Sequence, residues 1–152
     1  IGAWDTSKVT TMERTFRETK SFNSELVWDT SKVTNMKETF YSDNFNRPLV
    51  WDTSKVTSMV RTFQFTAAFN QALVWDTSSV TTMQGTFDSA EAFNHPLNWD
   101  TSQVTNMYYM FFGADDFDQA LKQVGSVWDT TQVTEFTEFG QCNALNPKNP
   151  KC

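Results

Sequence analysis

The chain has 152 residues, 20% of them charged, with a formal net charge of −6 and a pI near 4.6. That length holds one domain with a real core, the acidic balance excludes general binding to nucleic-acid phosphate, and no apolar run is long enough to span a bilayer. An aromatic content of 15%, with 14 Phe and 6 Trp, excludes a disordered linker.

The first residue is Ile1, with no basic start and apolar h-region before the domain, so the sequence reads as a mature chain or an excised fragment. From there it repeats itself. Trp falls at 4, 28, 51, 75, 99 and 128, at spacings of 24, 23, 24, 24 and 29, and each opens the phrase Trp-Asp-Thr-Ser/Thr-x-Val-Thr. Met12, Met36, Met59, Met83 and Met107 follow eight residues after the first five Trp, and Phe136 takes that slot in the sixth unit. Phe16, Phe40, Phe63, Phe87 and Phe111 come four residues later. A second Phe column and a Leu column, ending at Phe117 and Leu121, close each unit. The short spacing comes from one residue fewer between Phe40 and Phe45, and the long one from a five-residue bulged loop at Lys122–Ser126.

A unit of this length cannot enclose its own apolar face and must stack on its neighbours. In Leu26-Val27-Trp28-Asp29 the alternation predicts an extended strand with Leu and Trp inward and Val and Asp outward. Met36 and Phe40, at i and i+4, predict a helix of one to two turns with Thr34 as its N-cap, and Thr10 with Glu13 has capping-box spacing. Phe45-Asn46-Arg47-Pro48-Leu49 returns the chain to the next strand. The expected fold is an α/β solenoid of about six coils, each a short parallel strand plus a short helix. Residues 1–140 form the solenoid, with five full units and a degenerate sixth, and 141–152 form a C-terminal capping segment.

The phrase Phe69-Asn70-Gln71-Ala72-Leu73-Val74-Trp75-Asp76-Thr77-Ser78-Ser79-Val80-Thr81-Thr82-Met83 closely resembles the repeat of BspA-like leucine-rich-repeat surface proteins, over nearly the whole chain to about Phe139. The resemblance implies a right-handed leucine-rich-repeat-like stack on a bacterial or algal cell surface, with a role in adhesion or protein binding.

Stacking turns each recurring residue into a column with a step of about 4.8 Å. Asp29, Asp52, Asp76 and Asp100 are the candidates for a row of calcium sites, but each turn supplies only one carboxylate, and capping of the turn by hydrogen bonds from the following Thr or Ser is the stronger reading. Two Thr columns, one running from Thr6 and one from Thr10, raise an ice-binding alternative against their reading as turn and cap residues. The Trp column is read as core, since pointing it outward would bury the Asp column, and the Asn column as buried amides satisfying the return loops. His95 shares its slot with Ser24, Arg47 and Gln71 and reads as a surface histidine. Cys142 and Cys152, the only cysteines, are expected to close a disulfide that caps the stack in an oxidising compartment.

No phosphate loop, nucleophile elbow or metal cluster is written in the chain. The sequence therefore reads as a non-enzymatic extracellular or cell-surface module for adhesion or for binding a protein or glycan. It calls for no cofactor, no nucleic acid and no membrane insertion. Its expected ligand face is the row Val27, Val50, Val74, Asn98 and Val127 beside Asp29, Asp52, Asp76 and Asp100. The alternatives are an ice-binding protein and a structural subunit of an extracellular array.

Overall fold

A computed structural model describes residues 4–42, 44–119, 121 and 128–135. Within them the chain winds into stacked coils of 23 or 24 residues, with 29 for the last step, joined by a one-residue-wide parallel ladder that runs Thr11, Asn35, Ser58, Thr82, Asn106, Glu135. The α/β solenoid expectation is overturned: among the described residues there is no helix, and β pairing is confined to isolated bridges, of which this row is the one that recurs from coil to coil. The bulged loop at 122–126, Val127, Phe136 and the capping segment with both cysteines lie outside the described residues.

The hydrogen bonds show why the helix does not form. In coil one, Thr15, Arg17 and Thr19 donate their N–H groups to the carbonyls three residues back, while Met12, Arg14, Phe16 and Glu18 donate theirs to Asn35, Lys37, Thr39 and Tyr41 of the next coil. Alternate residues thus close a turn and grip the neighbour. A helix would direct every N–H along its own axis and leave the coils linked by side chains alone, and a helix of one or two turns is marginal in isolation. The alternation needs a left-handed residue at intervals. Arg14, Glu38, Arg61, Gly85 and Tyr109 hold φ between 53° and 58° at one register position, and Glu18, Phe65, Ser89 and Gly113 hold φ between 56° and 66° four residues later. Seven of these nine are not glycine, in a region that costs an L-residue roughly 1–2 kcal/mol. The one-residue deletion in coil two coincides with the missing member of the second set.

The expected strand at Leu26–Asp29 is also corrected. Here side chains, rather than a backbone ladder, bridge the coils. The indole N–H groups of Trp51, Trp75, Trp99 and Trp128 donate to the carbonyls of Leu26, Leu49, Leu73 and Leu97 in the coil before, at 2.9 to 3.3 Å. The buried hydroxyls of Thr30, Thr53, Thr77 and Thr101 donate to the Asp52, Asp76, Asp100 and Asp129 carbonyls of the coil after. These bonds satisfy polar groups that burial would otherwise leave unpaired.

The core is three aromatic columns flanked by Met, Val and Leu. Trp28, Trp51, Trp75 and Trp99 stack at 6.3 Å between ring centroids and within 3° of parallel. Phe16, Phe40, Phe63, Phe87 and Phe111 stack at 5.4 to 5.5 Å, and the column from Phe22 to Phe117 at 5.8 to 6.1 Å. Trp51, Trp75, Trp99 and Trp128 are buried, whereas Trp4 in the first coil is 63% exposed.

Candidate binding surface

Three features face outward. The first is the apolar row: Val27, Val50 and Val74 are 78%, 94% and 95% exposed, and Asn98 continues the row in the next coil. Shallow cavities interrupt it, one of about 230 Å³ lined by Leu26, Val27, Trp28, Pro48 and Val50, another of about 190 Å³ lined by Leu73, Val74, Trp75, Pro96 and Asn98.

Beside it runs the Asp column. Oδ1 of Asp29, Asp52 and Asp76 accepts both the backbone N–H, at 3.0 Å, and the hydroxyl, at 2.6 to 2.7 Å, of the Ser two residues on. Asp100 accepts the Ser102 N–H at 2.9 Å. These are Asx turns. The Ser hydroxyl, and then the Ser N–H, hold the Asp5, Asp29, Asp52 and Asp76 carboxyls below the usual carboxylate range. The column is a charged rim to the Val row. No group of three His, Cys, Asp or Glu converges among the described residues.

The second feature is the Thr column at 10, 34, 57, 81, 105 and 134, exposed throughout. With no helix to cap, the N-cap reading of these residues is corrected. Each backbone N–H from Thr34 onward donates to the preceding Thr carbonyl at 2.8 to 2.9 Å, and each hydroxyl donates to the same oxygen at 3.2 to 3.3 Å. The Asn column works as expected but is not buried. Asn23, Asn46, Asn70 and Asn94 accept through Oδ1 the N–H of the equivalent residue in the next coil at 3.0 to 3.1 Å, from positions that are half-buried or exposed. His95 is half-buried, its ring tilted against Phe93.

The third feature is the edge formed by the turns after Met, which sequence reasoning passed over. Its register positions vary between coils: Arg14, Glu38, Arg61, Gly85, Tyr109 at one, and Arg17, Tyr41, Gln64, Asp88, Phe112 at another. Glu38 is its one buried carboxylate, holding Arg14 Nε at 2.8 Å and Arg17 Nη1 at 2.6 Å. Burial pushes its pKa up, and the Arg14 hydrogen bond with the charges of Arg14, Arg17 and Lys37 overcomes that and holds it below its ordinary value. Arg17 also lies over the Tyr41 ring at 5.1 Å. The signal for this edge was in the sequence as positions that vary between otherwise identical units. Also missed was the buried Thr39, Thr62, Thr86 column, whose hydroxyls each bridge two Met carbonyls in adjacent coils.

A family model described as "Mycoplasma protein of unknown function, DUF285" matches the chain over residues 1–74 and 49–151. No curated protein and no solved structure matches it.

Proposed function

The chain belongs to the DUF285 family, and on that premise we propose that it is a non-enzymatic repeat module of the BspA-like surface type, working outside the cell in adhesion by binding a protein or glycan on a cell surface or matrix. The observation that carries this reading is the Val row. Val27, Val50 and Val74 project almost fully into solvent in register, beside carboxylates kept ionised by their Ser partners. Isolated exposed Val is ordinary, whereas an aligned apolar row with a charged rim is the pattern of an interaction site. Most other recurring residues pack in the core, join coils or close turns within one coil, so binding is left to the residues that face out. No helix among the described residues is long and apolar enough to cross a membrane.

The test is surface plasmon resonance of the chain against a panel of purified matrix proteins and surface glycans, wild type beside a Val50→Asp/Val74→Asp variant. The exposure of both positions keeps the stability change within about 0.5 kcal/mol per site. A saturable binder lost in the variant, at unchanged melting temperature, is expected. Binding that survives the double substitution refutes the Val row as the site.

A second reading draws on the Thr column. Six exposed Thr in register, beside a small polar column at Thr11, Asn35, Ser58, Thr82 and Asn106, form a regular hydroxyl-bearing strip suited to ice. Thermal hysteresis separates it from adhesion.

A further inference from the structure

The charges of this chain are sorted along its length. Residues 1–61 carry nine Lys and Arg against eight Asp and Glu, while residues 62–121 carry seven Asp and Glu and no Lys or Arg at all. The stack converts that order in sequence into an axial gradient, basic groups balanced by acids on the first three coils and, as far as residue 121, acid alone on the fourth and fifth. It is sharpest on the variable edge. Lys20, Ala67, Glu91 and Asp115 occupy equivalent slots of coils one, three, four and five, and Arg17, Gln64, Asp88 and Phe112 occupy the neighbouring ones.

Apart from Arg61, whose guanidinium lies 3.8 Å from the Glu38 carboxylate of coil two, the edge therefore reads positive, neutral, negative about coil three. At that centre stands Phe65, 41% exposed with its ring edge-on to Tyr41 at 5.0 Å, and held at φ 56°. A bulky aromatic side chain in left-handed backbone is a rare placement, and strain of this kind gathers at functional positions. The equivalent slots hold Glu18, Ser89 and Gly113, so nothing in the stacking demands a Phe there.

An edge with opposite charges at its two ends and an apolar centre is complementary to itself after a two-fold rotation. We propose that this edge docks on a second copy of the chain, the two stacks lying side by side and antiparallel. A two-fold contact sets each residue at the axis against its own copy. Like charges there would repel, whereas Phe65 against the second Phe65 buries both rings. Coil one then faces coil five, bringing Lys20 opposite the other copy's Asp115 and Arg17 opposite its Phe112 ring. Coil two faces coil four. The contact is about 19 Å long at a coil step of about 4.8 Å, which places it at the low end of interface sizes and makes the pair weak and reversible. It uses a different face from the Val row, so either proposal stands or falls without the other.

Sedimentation velocity of the full chain from about 10 to about 500 µM, at about 20 and about 300 mM salt, tests the pairing. A concentration-dependent dimer at low salt is expected, with its dissociation constant raised at least about tenfold at high salt. Lys20→Glu or Asp115→Lys alone should weaken it by at least about tenfold, and the double variant should restore it. Phe65→Gly removes the central ring while relieving the positive φ, so it should abolish the dimer without lowering the melting temperature. A chain that stays monomeric throughout overturns the proposal, as does a dimer indifferent to Phe65→Gly. Failure of the double charge variant to restore pairing overturns the antiparallel register.

Discussion

Replacing Trp75 by Ala removes an indole that is 6% exposed, sits between Trp51 and Trp99 at 6.3 Å, packs against Phe63 at 5.7 Å, and donates its N–H to Leu49 at 3.2 Å. Emptying such a site costs about 3–5 kcal/mol in a core that cannot collapse to fill it. The orphaned Leu49 carbonyl adds about 1–3 kcal/mol if water does not reach it. Each lost stacking partner adds up to about 1.5 kcal/mol beyond area burial. These contributions overlap, and a loss of about 5 kcal/mol is expected. Trp4→Ala is the internal control: the same residue type at the open end, 63% exposed with one stacking partner, should lose less than about 1 kcal/mol. Urea unfolding of both variants, followed by far-UV circular dichroism, reads the difference as a change in midpoint at constant slope. Trp75→Phe keeps a measurable protein if the alanine variant fails to fold. Equal losses at the two positions, or an unmoved midpoint for Trp75→Ala with lost ligand binding, would refute the buried-Trp column and place the indoles on the surface as ligand-stacking groups.

Ser89→Gly, in the second left-handed set, should raise stability by about 0.5–1 kcal/mol in urea titrations, and Gly85→Ala should lower it by about 1 kcal/mol. Glu38→Gln should destabilise by about 1–2 kcal/mol, because a buried acceptor of two Arg loses its charge; a melting temperature at or above wild type contradicts this. The folded pKa of Asp52, Asp76 and Glu38 lies below the unfolded value, so their contribution is full above about pH 4.3 and is lost as pH falls through the folded values. Melting temperature should therefore be level from neutral pH to about 5 and drop below about 4; a rise on acidification contradicts the assignment. Calcium against chelator should leave melting unchanged, since each Asp in the column already spends an oxygen on its own Asx turn, and a stabilisation that disappears in Asp76→Ala would turn the column into cation sites. Non-reducing mass spectrometry should find Cys142 and Cys152 joined, and two alkylatable thiols in protein from an oxidising source would contradict that bond.

The one-dimensional stacking was legible because burial follows simple alternation. Leu73 and Trp75 share a face, Val74 and Asp76 take the other, and the structure distributes them so. The Asp76 to Ser78 turn was legible for a similar reason, being chemistry within three residues. The helix was misread because Met36 and Phe40 stand four apart, a spacing that two successive turns reproduce as well as a helix does. Single-unit patterns cannot distinguish these, since the deciding hydrogen bonds run to Ser58 and Thr62 in the next coil. The left-handed positions hid for another reason. Arg61 and Phe65 are not residue types that announce positive φ, and only Gly85 and Gly113 in the same two slots hinted at it. Thr39 was invisible because its hydroxyl gains its second carbonyl, that of Met12, only when the coils stack. The variable edge was written openly at positions 14, 38, 61, 85 and 109, but attention to what recurs passes over what differs.

The most direct test is the measurement of scalar couplings across hydrogen bonds by NMR on a deuterated, doubly labelled chain. The amide nitrogens of Met36, Met59 and Met83 should couple to the carbonyl carbons of Ser58, Thr82 and Asn106, and those of Phe40 and Phe63 to Thr62 and Thr86. Couplings from Phe40 to Met36 and from Phe63 to Met59, the i to i−4 pattern of a helix, would contradict a stack of turns held together by its neighbours.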